Sequence, residues 1–164
     1  MNQREVSKNT GFTLIEILVV IGIIAILAAI VIIAINPARQ FAQARNSQRT
    51  ANVNAILNAI GQNLADNKGI FTCTTIGAVI DNTARNIEYL TATTAGKTNL
   101  RDCLAPTYIP EIPFDPSVGN FTSATNYNTQ YTVIQDSTTQ RITVCAPNAK
   151  EAAISGSIAI CVTR

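Results

Sequence analysis

From Gly11 to Ile35 the chain reads GFTLIEILVVIGIIAILAAIVIIAI, an almost unbroken apolar run whose single charge is Glu16. At about 1.5 Å rise per residue, a helix of about 20 such residues spans a bilayer core. The run is therefore able to cross a membrane, and any globular domain must hang from one end of it. A carboxylate inside lipid costs about 2.5 kcal/mol or more, so Glu16 reads as a functional residue.

The rest of the 164-residue chain leaves roughly 130 residues, enough for one modest domain. A net charge of +2 with 13% charged residues supplies neither a basic field for nucleic acid nor an acidic tail. There is no histidine, which removes the commonest general base and metal ligand together with every Ser-His-Asp or Cys-His arrangement. Asp66, Asp81, Glu88, Asp102, Glu111, Asp115, Asp136 and Glu151 show no paired acid-base spacing, and no glycine-rich phosphate loop occurs. The expectation is a protein that is not an enzyme and carries no cofactor. Cys73, Cys103, Cys145 and Cys161 form no CxxC pair and all follow the apolar run, which suggests two disulfides in an oxidising compartment.

Residues Met1 to Thr10 are polar and carry Arg4 and Lys8, so with the run behind them they look like a secretory leader. An ordinary cleaved signal peptide has an apolar region of about 7–15 residues, and this one is longer. A plain single-pass anchor passes every hydropathy test. What separates the readings is Gly11-Phe12-Thr13-Leu14-Ile15-Glu16. This hexapeptide resembles the processing site of type IV pilins and of the related type II secretion and competence pseudopilins. The resemblance implies that a membrane-embedded prepilin peptidase cuts after Gly11 and methylates the new amino terminus at Phe12. Glu16 then falls at the fifth mature position, where the family keeps its acidic residue. Independently, the amine of a chain starting at Phe12 lies four residues before Glu16, and positions four apart share a helix face. The two ions are neighbours within a chain or partners between chains, and pairing offsets much of the cost of burying either one. Assembly therefore rests on Phe12 and Glu16.

Within the run, Gly22, Ala25, Ala28 and Ala29 would let apolar helices approach closely, although Gly and Ala are common in any membrane helix. Gly22 also invites local loosening. In the resembling family such melting commonly ends at a Pro near the twenty-second mature position; here that position is Ile33 and the first proline is Pro37. Asn36-Pro37 suits the start of a second helix or a kink in one long helix, and the resemblance favours the kink. From Ala38 to Asn67 the pattern becomes amphipathic. Val53, Ile56, Leu57, Ile60 and Leu64 recur at helical steps, with Asn54, Asn58 and Gln62 elsewhere around the helix. Arg39, Arg45 and Arg49 read best as solvated, with phosphate anchors or intersubunit charges as alternatives. Asn67-Lys68-Gly69 supplies a stop, giving a helix of about 80 Å from Phe12.

Beyond the stop, short helices around Ile76–Leu90 and Leu100–Leu104 are expected. Leu104 to Pro116 contains four prolines and must be irregular. It resembles the loop that links helix to sheet in pilins and pseudopilins, where a related loop can hold calcium. Asp115, Ser117, Asn120 and Asn126 could supply oxygens but lack EF-hand spacing, so no metal is assigned. Strands are expected at Gln130–Gln135, Arg141–Cys145 and Ser157–Val162, with a hairpin loop at Asp136–Gln140. Alternation turns Ile142, Val144, Ile158, Ile160 and Val162 inward and points Cys145 and Cys161 to the other face. If those strands are neighbours, a Cys145–Cys161 bridge leaves Cys73 with Cys103. Four cysteines allow three connectivities, and free buried thiols are a further alternative. Asn120-Phe121-Thr122 is a lone glycosylation sequon.

The expected fold is α+β, a long N-terminal helix packed on a small antiparallel sheet. Residues 1–11 form a cleaved leader, 12–36 a transmembrane and filament-core helix, 37–69 its amphipathic half and 70–164 a globular head. The resemblance implies a structural subunit of a helical, homo-oligomeric filament. Its partners would be the prepilin peptidase, the pilus assembly machinery and, before assembly, the cytoplasmic membrane; no nucleic acid is expected. A pseudopilin of a secretion or competence system is the near alternative, and a membrane-anchored extracytoplasmic binding domain that never polymerises the distant one.

Overall fold

The computed structural model describes residues 11–164, so the leader expected at 1–11, with Arg4 and Lys8, lies outside the described residues except for Gly11. Two compact units part between Gln40 and Phe41. In the first, helix α1 spans Leu14–Ile35 and runs through Gly22 without interruption. Helix α2 spans Pro37–Asp66 and carries the chain into the second unit. The kink expected at Pro37 is instead a helix boundary. Asn36 adopts a left-handed conformation (φ 46°) that ends α1. Its side-chain Oδ1 and its carbonyl accept from the Arg39 amide at 3.3 and 3.1 Å. Asn tolerates that conformation and caps the start of α2, and proline at the first helical position loses no hydrogen bond.

α2 ends as its terminal residues suggest. Lys68 and Gly69 have positive φ (57° and 85°), and the Gly69 amide returns to the Leu64 carbonyl at 2.7 Å. The chain then forms β1 (Arg85–Glu88), β2 (Lys97–Thr98), a single-turn helix α3 (Arg101–Leu104), β3 (Asn120–Ser123), β4 (Asn126–Gln135), β5 (Ile142–Ala146) and β6 (Ile160–Thr163). Among the described residues these six strands make one sheet, in the order β2-β1-β4-β5-β6, with β3 also on β4. The sheet is mixed where an antiparallel one was expected, because β1 and β2 run parallel.

Two expected elements differ. Ile76–Leu90 contains no helix: Asp81 Oδ1 accepts from the Thr83 amide at 3.0 Å and Gly77 has φ 76°, local turns that compete with helix. The last strand begins at Ile160 rather than Ser157. Gly156 (φ 71°) and the Ser157 Oγ bond to the Glu151 carbonyl at 3.0 Å hold the preceding segment in turns, and Ile158 is 75% exposed instead of facing inward. The hairpin loop at Asp136–Gln140 is present, with Asp136 Oδ1 accepting from the Thr138 and Thr139 amides.

The core of the second unit lies between α2 and one face of the sheet. Val53, Ile56, Leu57 and Ile60 meet Ile87, Tyr127, Tyr131, Val133, Ile142 and Val144, all buried. Leu64, Ile160 and Val162 pack at its margin. On the opposite face Cys145 stands directly across from Cys161 and is bonded to it (Cα–Cα 4.1 Å). Cys73 is bonded to Cys103 (5.3 Å) and ties the segment after α2 to α3.

Candidate processing and assembly segment

In the first unit the chain enters α1 through a capping box. Thr13 is the N-cap: its Oγ1 accepts from the Glu16 amide at 3.3 Å, and Glu16 Oε2 accepts from the Thr13 amide and hydroxyl, each at 2.8 Å. This reciprocal arrangement satisfies donors that a helix start otherwise leaves open. The carboxylate is thus folded back on the helix terminus. Sequence reasoning passes over the cap role of Thr13, although Thr-x-x-Glu before an apolar run is the signature of such a box.

Gly11 and Phe12 precede the helix and are exposed, Phe12 by 84%. Among the described residues a Cβ at Gly11 would meet nothing within 4 Å, so no packing among them demands glycine there. The large apolar side chains of α1 range from 50% exposed at Ile17 to 83% at Leu14. Among the described residues α1 alone is long and apolar enough to cross a membrane. An uncovered surface of this kind calls for lipid or for partner helices.

The second unit holds an ion cluster that sequence reasoning misassigns. Arg49 was expected in solvent, and its side chain is fully buried. Its Nε and Nη2 donate to Asp115 Oδ2 and Oδ1 at 2.7 and 3.1 Å. Nη2 also reaches Ser117 Oγ at 2.6 Å, and Nη1 reaches Glu151 Oε1 at 2.5 Å and Asn46 Oδ1 at 2.8 Å. Every N–H of the guanidinium is therefore used. Arg45 adds a two-bond pair to Glu151 at 2.7 and 2.6 Å. Burial pushes the Asp115 carboxyl upward, but Arg49 and the Ser117 amide and hydroxyl outweigh it and hold Asp115 at about 2. Arg45 first, then Arg49, lower Glu151 to about 2. A signal for this burial existed: Arg49 lies in line with Val53, Ile56 and Ile60 on the stripe.

The same cluster engages two of the calcium-like oxygen donors, Asp115 and Ser117. Both Asp115 oxygens accept from a guanidinium, and Oδ1 also takes the Ser117 and Val118 amides. Asn120 is a register partner of Asn128, and Asn126 pairs with Ser123. Among the described residues no three His, Cys, Asp or Glu side chains converge to hold a metal.

Residues 6–34 match the family model described as the prokaryotic N-terminal methylation motif. The chain carries the amino-terminal motif of type IV pilin-like prepilins. The matched span takes in Gly11, Phe12, the capping box and nearly all of α1, and it implies processing by a prepilin peptidase. No curated protein and no solved structure matched the chain. The exposed apolar helix and the motif together fit anchoring of the precursor in a membrane.

Proposed function

We propose that this chain is a structural subunit of a type IV pilus-like filament, without enzymatic activity of its own. It is inserted in the cytoplasmic membrane through α1, cut between Gly11 and Phe12, methylated on Phe12, and drawn from the membrane into a homo-oligomeric filament outside the cell. The observation that supports this most is the methylation motif laid over an apolar helix that stands exposed among the described residues. After cleavage the Phe12 amine and the Glu16 carboxylate are the two ions in an apolar setting. Pairing the amine of one subunit with the carboxylate of the next rewards a single axial register.

Mass determination of the mature amino terminus tests the first half: methylated Phe12 is expected, and a retained Met1 overturns it. Electron microscopy of surface filaments from wild type and Glu16→Val tests the second. The variant is expected to be processed and membrane-bound but absent from filaments; normal filament yield would refute the role of Glu16. The same micrographs distinguish a long pilus from a short pseudopilus, and no assembly at all would leave an anchored binding domain.

A further inference from the structure

The sequon Asn120-Phe121-Thr122 plays no part in the processing and assembly segment, and strand β3 displays it. Asn120 is the register partner of Asn128 and Phe121 that of Tyr127, and residues paired in this way share a sheet face. Phe121 therefore turns toward the core with buried Tyr127, their ring centroids 6.2 Å apart, and the Arg101 guanidinium lies 5.6 Å from the Phe121 ring centroid. Asn120 turns the other way, onto the face where the Asn128 amide donates to Glu88. The register shifts between Phe121 and Ser123, which makes Thr122 the extra residue of a bulge. Asn120 and Thr122 are both exposed, and among the described residues neither side chain has a hydrogen-bond partner. Gly119, just before them, is held in place by its amide, which donates to the Asp115 carbonyl at 3.0 Å. Among the described strands β3 pairs with β4 alone, so its other edge is open.

Asparagine is depleted in strands, and an exposed one without a partner contributes nothing to the fold. Asn-x-Thr is also the acceptor pattern for an N-linked sugar on the surface of a secreted protein. The two disulfides fit a head that folds in an oxidising compartment, on the side of the membrane where such a sugar is added. We propose that Asn120 accepts one N-linked glycan. The donor is a glycan joined to a lipid pyrophosphate, and the catalyst is a membrane-bound glycosyltransferase. The Asn120 amide nitrogen attacks the anomeric carbon of the donor. The nitrogen–carbon bond forms, and the bond from that carbon to the pyrophosphate oxygen breaks, its electron pair leaving on the pyrophosphate. One amide proton passes to the transferase, and nothing is oxidised or reduced. Because Phe121 anchors the strand from the core side, the enzyme meets Asn120 and Thr122 without unfolding the sheet. The glycan then stands beside the exposed turn Ser123–Thr125, on the sheet face opposite the one that packs on α2.

The test is mass spectrometry of the chain purified from the cells that make it, intact and after trypsin under reducing conditions. The expected result is a mass above that of the polypeptide, with the whole excess on the peptide Asp102–Arg141, which has no internal Lys or Arg, and fragment ions that place it on Asn120. Asn120→Gln and Thr122→Ala should each restore the bare mass, whereas Thr122→Ser should retain the glycan. Fragmentation of the wild-type peptide keeps the result independent of how any variant folds. Sugar on Thr122, Ser123 or Thr125, or sugar that survives Asn120→Gln, would overturn the assignment. The site rests on the reading that the head is exported, and the same sample separates the two. Unmodified Asn120 in a chain with methylated Phe12 overturns the glycan site alone. A retained Met1 with glycosylated Asn120 overturns the processing alone, and a retained Met1 with unmodified Asn120 overturns both.

Discussion

Replacing Arg49 with Met keeps most of the apolar stem and removes every donor the guanidinium supplies to Asp115, Ser117, Glu151 and Asn46. Breaking a buried ion pair from one side costs about 3–5 kcal/mol, because the remaining charge is left uncompensated. The lower end applies here. The Ser117 amide and hydroxyl and the Val118 amide still donate to Asp115 Oδ1, and Glu151 keeps Arg45. A loss of about 3 kcal/mol in a domain of this size lowers the melting temperature by about 10 °C. Circular dichroism of the full chain in detergent at pH 7 reads that shift. Adding Asp115→Asn to Arg49→Met should recover part of the loss, since the buried charge goes with its partner. A single variant that melts within about 2 °C of wild type, or a double variant less stable than the single, would refute this account of the cluster.

Acid should act on the same cluster. Asp115 and Glu151 are held at about 2, below their ordinary 3.8 and 4.5, so the stability they contribute is present above those ordinary values. It is lost as pH falls from about 4.5 toward about 2. An acid titration of wild type should unfold later than one of Arg49→Met, whose midpoint moves to higher pH. Gly119→Ala should be strongly destabilising, since a Cβ there would lie 2.5 Å from the Asp115 amide nitrogen and 2.8 Å from its carbonyl oxygen; a melt unchanged from wild type would contradict this. Asn63→Ala should cost about 1–2 kcal/mol despite the better helix propensity of alanine, because buried Asn63 exchanges two hydrogen bonds with Thr72. Asn54→Ala should be neutral or slightly stabilising, since the Asn54 amide donates back to its own helix at the Thr50 carbonyl. Paired urea titrations would decide both.

Long, strongly patterned elements were legible in the sequence. Apolar continuity marks α1, the stripe Val53–Ile60 marks the buried face of α2, and alternation marks β5. The strands that were missed, β1, β2 and β3, are four, two and four residues long and mostly polar. Their pairing is decided by β4, whose first half, Asn126–Gln130, hides its alternation of Tyr127 and Thr129 among Asn, Thr and Gln. The segment with Gly11, Phe12 and Glu16 stood out because its signal is a short local motif, and the matched span covers it. The Arg49 cluster was not, because its partners lie 66 and 102 positions away. Only the line of Arg49 with the buried stripe hinted at it.

The division of polar and apolar residues gives α2 a second duty besides burying its stripe. The head spends many residues in irregular segments, and several of them are gripped by polar side chains of α2. Asn46 donates to the Ala149 carbonyl, Asn52 to the Phe114 carbonyl and Asn63 to the Thr72 carbonyl; Arg45 and Arg49 hold Glu151 and Asp115. Asparagine is a poor helix former because its amide competes for backbone partners. Here that competition is directed outward, at carbonyls beyond the helix. An Asn-rich helix therefore makes physical sense where it faces irregular segments. The same logic links α1 to α2: a helix apolar at every position but Glu16 leaves its cover to lipid or to other chains, whereas the helix after Asn36 must organise its own domain, and its side chains change character accordingly.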